Sequence, residues 1–164
     1  MPIARRPPTG KIDELLPAER TPADYQRLVD DPRADQETLL ALARSPYSFV
    51  RSAVADSPRA DASTLAAIPL DDLPRWTRNH ILAATARHPN ADRPTLLRTL
   101  RAVAESLDRP GERPYAAALS LALRPELTPA EILTLTARRN ASARMIKGVR
   151  RALSCRPDHA HHAG

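Results

Sequence analysis

The amino-acid sequence predicts an all-α fold in which about eight or nine short helices stack as an α-α superhelix, a short helical-repeat solenoid. The first observation is a motif of eight residues that recurs along the chain. The second is the spacing of the prolines at positions 32, 58, 89, 125 and 157, which are 26, 31, 36 and 32 residues apart. Periods of about 20–50 residues are typical of stacked repeat arrays. The third is composition, because 17 prolines accompany only 4 glycines, and prolines at helix boundaries suit short stacked helices.

The repeated motif combines the end of one helix with the start of the next. Its four copies read PRADQETL (residues 32–39), PRADASTL (58–65), PNADRPTL (89–96) and, more loosely, PELTPAEI (125–132). Proline lacks a backbone N–H and disfavours helix in the residue before it, so the preceding helix ends there. The fourth residue of each copy is a good N-cap, because its side chain can accept a hydrogen bond from the first turn of the next helix. These N-cap residues are Asp35, Asp61, Asp92 and Thr128.

Each predicted helix starts at such a cap or at a proline in its first turn, and most carry apolar residues at helical spacing. Ser45 is expected to cap the third helix and Asn140 the last. The clearest amphipathic pattern lies in residues 93–107, and the almost wholly apolar run at 115–123 predicts a central helix. The predicted helices cover residues 22–30, 36–44, 46–56, 62–67, 71–87, 93–107, 115–123, 129–138 and 141–155.

Three segments are expected along the chain: a flexible N-terminal arm (1–20), a helical-repeat domain (21–156) and a disordered tail (157–164). Residues 108–114 contain a Pro-Gly pair, which is a strong loop signal and predicts a break between two halves of the domain. The N-terminal arginines are not followed by an apolar region, so no signal peptide is expected. No run of about 18 apolar residues occurs, which argues against a membrane partner, and the single Cys155 gives no disulfide framework. We therefore expect a cytoplasmic protein.

One full unit of the repeat carries a family resemblance. The segment TLLALARSPYSFVRSAVADSPRADASTL (residues 38–65) resembles the variant leucine-rich repeat family and, more broadly, HEAT-like helical repeats. The resemblance extends over residues 31–157 and implies a right-handed superhelix that serves as a scaffold. Some members of the family hold an iron–sulfur centre on a cysteine cluster, a feature that does not carry over to a chain with one cysteine. Some HEAT-like proteins are DNA glycosylases, but their catalytic residues find no counterpart in this sequence.

The formal net charge of +6 is located entirely in the last third of the chain. Residues 1–108 hold 15 basic and 15 acidic residues, whereas residues 109–164 hold 10 basic and 4 acidic residues. Arg144, Lys147 and Arg151 are three and four residues apart, so they share one face of a helix. The predicted polyanion-binding residues are Arg138, Arg139, Arg144, Lys147, Arg150 and Arg151.

This basic block has two interpretations. Its cations could neutralise phosphates, whose contacts supply much of the affinity for nucleic acid. Alternatively, the block is the solvated polar face of a terminal capping helix, which repeat arrays need for solubility. No aromatic residue accompanies the block in the sequence, which argues against base stacking there.

A second candidate surface comprises Arg51, Arg75, Trp76 and Arg78. Tryptophan and arginine are favoured at the centres of protein interfaces, so these residues predict a surface for a protein partner. Two other interpretations stay open. The only tryptophan of the chain could belong to the core, and the arginines could be structural residues that bond carbonyl groups at the ends of neighbouring helices.

The leading functional hypothesis is a non-enzymatic helical-repeat scaffold that mediates protein–protein interaction, and the alternative is a nucleic-acid-binding module that uses the basic last third. No catalytic residue, cofactor or metal site is predicted, because the sequence contains no phosphate-cradling glycine loop, paired catalytic carboxylates or zinc motif. Three histidines at 159, 161 and 162 form only a weak metal pattern, and Cys155 is expected to be a small buried residue. The sequence does not specify an oligomeric state.

Overall fold

In the computed structural model, which describes residues 11–157, every regular element is helical. This part of the chain forms ten α-helices and one short 3-10 helix, without a strand. In chain order the elements are α1 (Lys11–Leu15), α2 (Pro22–Val29), α3 (Gln36–Ala43), α4 (Ser48–Asp56), α5 (Ala62–Ala66), α6 (Arg75–Arg87), α7 (Arg93–Leu107), α8 (Tyr115–Ala122), α9 (Pro129–Leu133), the 3-10 helix (Thr134–Ala137) and α10 (Ala143–Ser154). The predicted all-α fold is confirmed.

Helices that are two positions apart in the chain pack against each other. One row consists of α2, α4, α6, α8 and α10, and a second row consists of α3, α5 and α7, continued by the 3-10 helix. Leucine and alanine supply most of the buried core. Because alanines such as Ala60 and Ala118 are fully buried, the helices pack closely through small side chains. Among the described residues, no helix is long and apolar enough to cross a membrane.

The four copies of the motif form four equivalent turns. In each, a backbone N–H donates to the carbonyl oxygen three residues earlier, across the motif proline. The donors are Ala34, Ala60, Ala91 and Leu127, and the acceptors are Asp31, Ser57, His88 and Arg124, at N···O distances of 2.9 to 3.3 Å. The donor residue is buried in every copy, so each turn is anchored in the core.

Polar side chains connect each turn to the one before it, and we call this set the turn ladder. Its members are Arg59, His88, Asn90, Arg124 and Arg156, which bond carbonyl groups of the preceding turn or of the helix end beside it. Arg124, for example, donates to the carbonyl oxygens of His88 and Ala91, both at 2.9 Å. Sequence analysis did not single out this pattern, although a polar side chain next to the turn proline is its visible signal.

The predicted N-caps of the motif are confirmed. The carboxylates of Asp35, Asp61 and Asp92 each accept a hydrogen bond from the backbone N–H three residues later, at 2.8 to 2.9 Å. Thr128 and Glu131 form a capping box, in which each side chain pairs with the backbone N–H of the other residue. These caps start α3, α5, α7 and α9 at the positions that the motif predicts.

Two other predicted caps are wrong. Ser45 does not cap α4, because its hydroxyl accepts from the backbone N–H of Tyr47 within the loop, and α4 starts at Ser48. Asn140 does not cap α10, because its amide donates to the Arg109 carbonyl at 2.7 Å. Ser142 caps α10 instead and accepts from the N–H of Met145.

Most helices end within one or two residues of the predicted bounds, and two depart further. The helix predicted over 71–87 starts at Arg75, since Pro74 disfavours helix in the residue before it. The helix predicted over 129–138 divides into α9 and the 3-10 helix, where the hydroxyls of Thr134 and Thr136 bond carbonyl groups three residues earlier and thereby compete with regular helix bonding.

The ends of the chain differ in how far the structure tests them. Residues 1–10 and 158–164 lie outside the described residues, so the predicted arm and tail stay predictions there. The second half of the predicted arm contains α1, whose Ile12 side chain is buried in the core. Leu15 and Leu16 also pack against the core, and the Arg20 guanidinium lies over the Tyr25 ring of α2, so this segment packs against the domain.

The predicted break at 108–114 is the loop between α7 and α8, and it is bonded from both sides. Arg75 of α6 donates to the Gly111 carbonyl at 2.9 Å. From the other side, Arg138 pairs with Asp108 at 2.8 Å, and Asn140 bonds the loop as described above. Because α6 packs directly on α8, helix stacking continues across this loop.

Removal of one side chain of the turn ladder is expected to destabilise the whole domain. In Arg124→Met, the carbonyl groups of His88 and Ala91 lose their charged donor, so the free energy of unfolding should fall by about 2 kcal/mol. Urea unfolding measures this change. Arg150→Met is the matched control, because the exposed Arg150 side chain makes no hydrogen bond or ion pair among the described residues. Equal stability of the two variants would contradict a structural role for the ladder.

The capping box of α9 predicts an acid dependence of stability. Hydrogen bonds from the Arg93 guanidinium and from the backbone N–H of Thr128 lower the pKa of Glu131 to about 2 from its usual 4.5. A lowered pKa stabilises the fold above pH 4.5, and this contribution is lost as the pH falls towards 2. Wild type should therefore be more stable than Glu131→Gln at pH 7, with a difference that shrinks below pH 4.5. Denaturant unfolding across this range tests the expectation, and a difference independent of pH would refute it.

Candidate nucleic-acid interface

A groove with a volume of about 990 Å³ lies between α8 and α10. Its walls are the loop before α8, α8 itself, the segment before α10, and α10. The floor is apolar, because Leu119 of α8 lies against Gly148 of α10. A Cβ atom at position 148 would come within 2.8 Å of the Leu119 Cδ2 atom, so glycine allows the close approach of these two helices.

Five exposed cations line this groove, and we call the feature the cationic groove. They are Arg113, Arg139, Arg144, Lys147 and Arg151. Within residues 11–157, none of their side chains forms an ion pair. The one acidic residue in the lining is Glu112, which is buried and paired with Arg78. The groove therefore presents uncompensated positive charge.

The sequence of α10 explains why its cations meet at the groove. Met145 and Val149, four residues apart, are buried and set the inner face of the helix. The flank of α10 that faces α8 carries Arg144, Lys147 and Arg151, which share one side of the helix because they are three and four residues apart. The Ser142 cap fixes where the helix starts, so it also fixes the direction of this flank.

The structure brings together four of the six predicted polyanion-binding residues. Arg139, Arg144, Lys147 and Arg151 line the groove. Arg138 is instead paired with Asp108, and Arg150 falls outside the lining because it lies on the other flank of α10. Arg156, the next cation along the chain, belongs to the turn ladder, and burial lowers the pKa of its guanidinium.

Arg113 is the groove residue that sequence reasoning missed. It precedes α8 and is far from the basic block in sequence, so only helix packing brings it to the groove. The only signal in the sequence is a cation within the Pro-Gly loop. A cation in a loop does not by itself predict which surface groove its side chain will line.

Of the second candidate surface, Arg51 is not accessible. Its side chain belongs to the buried face of α4, and the residue is only 2% exposed. Its guanidinium pairs with the Asp72 carboxylate at 2.8 and 3.1 Å and donates to the Pro69 carbonyl at 2.9 Å, which lowers the pKa of Asp72. Arg78 is also largely enclosed, in its pair with Glu112. Both arginines therefore hold loops in place, but only Arg51 bonds a carbonyl group, which is the contact that the structural interpretation expected.

Trp76 has the opposite environment, because 76% of this residue is exposed. The interpretation of the only tryptophan as a core residue is wrong. The reason is that the fully buried face of α6 begins at Ile81, whereas Trp76 lies in the first turn. The Arg75 guanidinium lies 5.1 Å from the centre of the indole ring and bonds Gly111, which lines the cationic groove. The two candidate surfaces are therefore neighbours.

Other candidate chemistry is limited in the described part of the chain. Cys155 is exposed rather than buried, because it lies at the C-terminal end of α10. Residues 11–157 hold no group of three histidine, cysteine, aspartate or glutamate side chains that could bind a metal ion. The three histidines at 159, 161 and 162 lie outside the described residues.

A smaller cavity of about 220 Å³ lies between α7 and the loop before α6. Arg98, Arg101 and Arg109 line it together with Asp71 and Glu105. The Arg98 guanidinium donates to the Ile68 carbonyl at 2.9 Å. Arg78 also lines this cavity. The two acids offset part of the positive charge of the four arginines, whereas the cationic groove holds five exposed cations and one acid that is already paired.

Gly111 is the residue whose backbone links Trp76 to the groove, and its substitution is expected to be unfavourable. Its φ of 73° lies in the left-handed region, and a Cβ atom would lie 3.3 Å from the Arg75 Nη1 atom. Gly111→Ala should therefore lower the free energy of unfolding by about 1 kcal/mol. Gly111→Asn should lose less, since asparagine tolerates this backbone conformation better. Thermal and urea unfolding compare the variants, and an unchanged Gly111→Ala would contradict the assigned backbone constraint.

Comparisons of this chain with family models, with curated proteins and with solved structures find no match.

Proposed function

We propose that this protein is a non-enzymatic helical-repeat module that binds nucleic acid through the cationic groove. The observation that carries the proposal is the convergence on one groove of five exposed cations that form no ion pair within residues 11–157. A solvated capping helix needs only polar residues spread over its outer surface. Convergence on one flank, next to a neighbouring helix, is instead the arrangement that a polyanion backbone requires.

The cations of such a groove bind phosphate groups and release the counterions that the phosphates otherwise hold. Guanidinium groups can bond phosphate oxygens with two parallel N–H donors, whereas Lys147 supplies a compact point charge. Phosphate contacts carry no sequence information, so binding through the groove is expected to be strong at low salt and weakly selective for sequence. Each phosphate neutralised makes the affinity more sensitive to salt.

The repeated organisation supports the architecture that accompanies this proposal. Four equivalent turns, the turn ladder and the packing of alternate helices are features expected of a solenoid. We therefore propose a right-handed α-α superhelix of the variant leucine-rich repeat or HEAT-like type, located in the cytoplasm.

A protein–protein scaffold is the second candidate function. The specific observation in its favour is the exposed pair of Arg75 and Trp76, because both residue types are enriched at the energetic centres of interfaces. Leu123, directly after the end of α8, is also exposed. We rank this function second, since Arg75 contacts the loop that lines the cationic groove and no broad apolar patch surrounds Trp76 among the described residues.

Removal of three groove cations tests the leading proposal. In Arg144→Ala/Lys147→Ala/Arg151→Ala, affinity for nucleic acid at low salt should fall about 100-fold or more. The slope of log K against log salt should become shallower by about 0.9 per lost contact with duplex DNA. Fluorescence anisotropy of a labelled oligonucleotide at several salt concentrations measures both quantities.

The matched control removes the same charge elsewhere. Arg44→Ala/Arg87→Ala/Arg150→Ala takes three exposed cations from outside the groove and should keep most of the affinity. Equal loss in the two triple variants would mean that only net charge matters. Absence of binding by the wild type at low salt would eliminate the proposal and leave the protein scaffold.

A further inference from the structure

Trp76 is the most exposed large apolar side chain among the described residues. It lies in the first turn of α6, outside the buried part of that helix. Among the described residues the one ring contact of Trp76 is with Arg75, so the indole offers a flat apolar surface to a ligand.

The surroundings of Trp76 restrict the chemistry of that ligand. The Arg75 guanidinium lies over the ring, 5.1 Å from its centre, and its Nη1 atom is held by the Gly111 carbonyl at 2.9 Å. Gly111 and Arg113 are both part of the wall of the cationic groove. The indole is therefore connected to the cationic groove through Arg75 and Gly111. A ligand that contacts both the indole and the groove must combine a flat apolar group with anionic groups.

We propose that the preferred ligand is single-stranded nucleic acid, with its phosphates along the cationic groove and one base stacked on Trp76. This inference rests on the proposed function. In a single strand the bases are unpaired and can turn outward to stack on an aromatic ring. In a duplex they are paired and stacked on each other. Stacking is tolerant of sequence because every base has a flat π-face.

The geometry of the groove is compatible with a short strand. Arg144 and Arg151 are seven residues apart on α10, which corresponds to about 10 Å along the helix. Arg113 and Arg139 extend the charged wall towards the loop that contacts Arg75. This loop is also the part of the groove that contacts Arg75, whose guanidinium lies over the Trp76 ring.

The sequence alone argued against base stacking, because the basic block contains no aromatic residue. The structure removes that objection, since the loop between α7 and α8 brings the first turn of α6 next to the groove. A protein partner that used Trp76 as an interface residue would require no such proximity to unpaired cations.

The test uses the full chain, in which Trp76 is the only tryptophan, so intrinsic fluorescence reports on this site alone. The probes are oligothymidylate and oligouridylate of about 12 nucleotides, a length within the site sizes of single-strand-binding folds. The corresponding DNA duplex and an abasic strand with the same number of phosphates complete the set. We expect the single strands to quench Trp76 emission and to bind about 10-fold more tightly than the duplex and the abasic strand.

Variants separate stacking from charge. Trp76→Leu should lose about 10-fold in affinity for the base-carrying single strands and should keep its affinity for the duplex and the abasic strand. Trp76→Phe should retain most of the single-strand affinity, because it keeps an aromatic face. These affinities are read from the anisotropy of labelled oligonucleotides, and urea unfolding establishes that the variants are folded.

The outcomes distinguish this inference from the proposed function. If Trp76→Leu binds single strands as wild type does, while the groove variant loses affinity for every probe, stacking is overturned and the cationic groove stands. If wild type binds no nucleic acid, both proposals fail and Trp76 becomes the first residue to vary in a search for a protein partner. Preference for either DNA or RNA single strands supports the inference.

Discussion

The hydrogen bonds that connect successive proline turns are the constraint on which the rest of the structure depends. A turn between two packed helices leaves carbonyl groups that no helix satisfies, and a buried carbonyl without a donor is costly. In this protein a side chain next to the following proline supplies the donor, as Arg59 does for the turn at 31–34 and Arg124 does for the turn at 88–91. Each turn therefore orients the next, and the positions of the helices follow from them.

The candidate site is a consequence of how this ladder ends. Arg156 bonds the carbonyl groups of Ala122 and Leu127, which holds the C-terminal end of α10 against α8 and its turn. At the other end of α10, the Asn140 amide bonds the Arg109 carbonyl in the loop before α8, and Ser142 caps the first turn of the helix. With both ends fixed, the flank that carries Arg144 and Arg151 must face the groove.

Local signals in the sequence predicted the helices and most of their starts, because a proline and an N-cap act within one turn of chain. The same reasoning found four of the groove cations, since they lie on one helix or just before it. It could not find Arg113 or the proximity of Trp76 to the groove. Both depend on where a distant loop packs, which no spacing within one helix encodes. Arg51 shows the reverse case, in which a residue that looked accessible is enclosed by Asp72 and a carbonyl.

The distribution of acids explains why free positive charge is concentrated at this end of the described part of the chain. Earlier in the chain, arginines on one unit find a carboxylate on another, as in the pairs of Arg51 with Asp72 and Arg93 with Glu131. Beyond residue 108 only 4 acids accompany 10 basic residues, and Glu126 and Glu131 are already paired with arginines. The cations on the flank of α10 therefore form no ion pair with a carboxylate of the described residues. These cations converge beside α8 instead of spreading around the helix. Their positive charge is therefore concentrated in one groove, where an anionic ligand can bind.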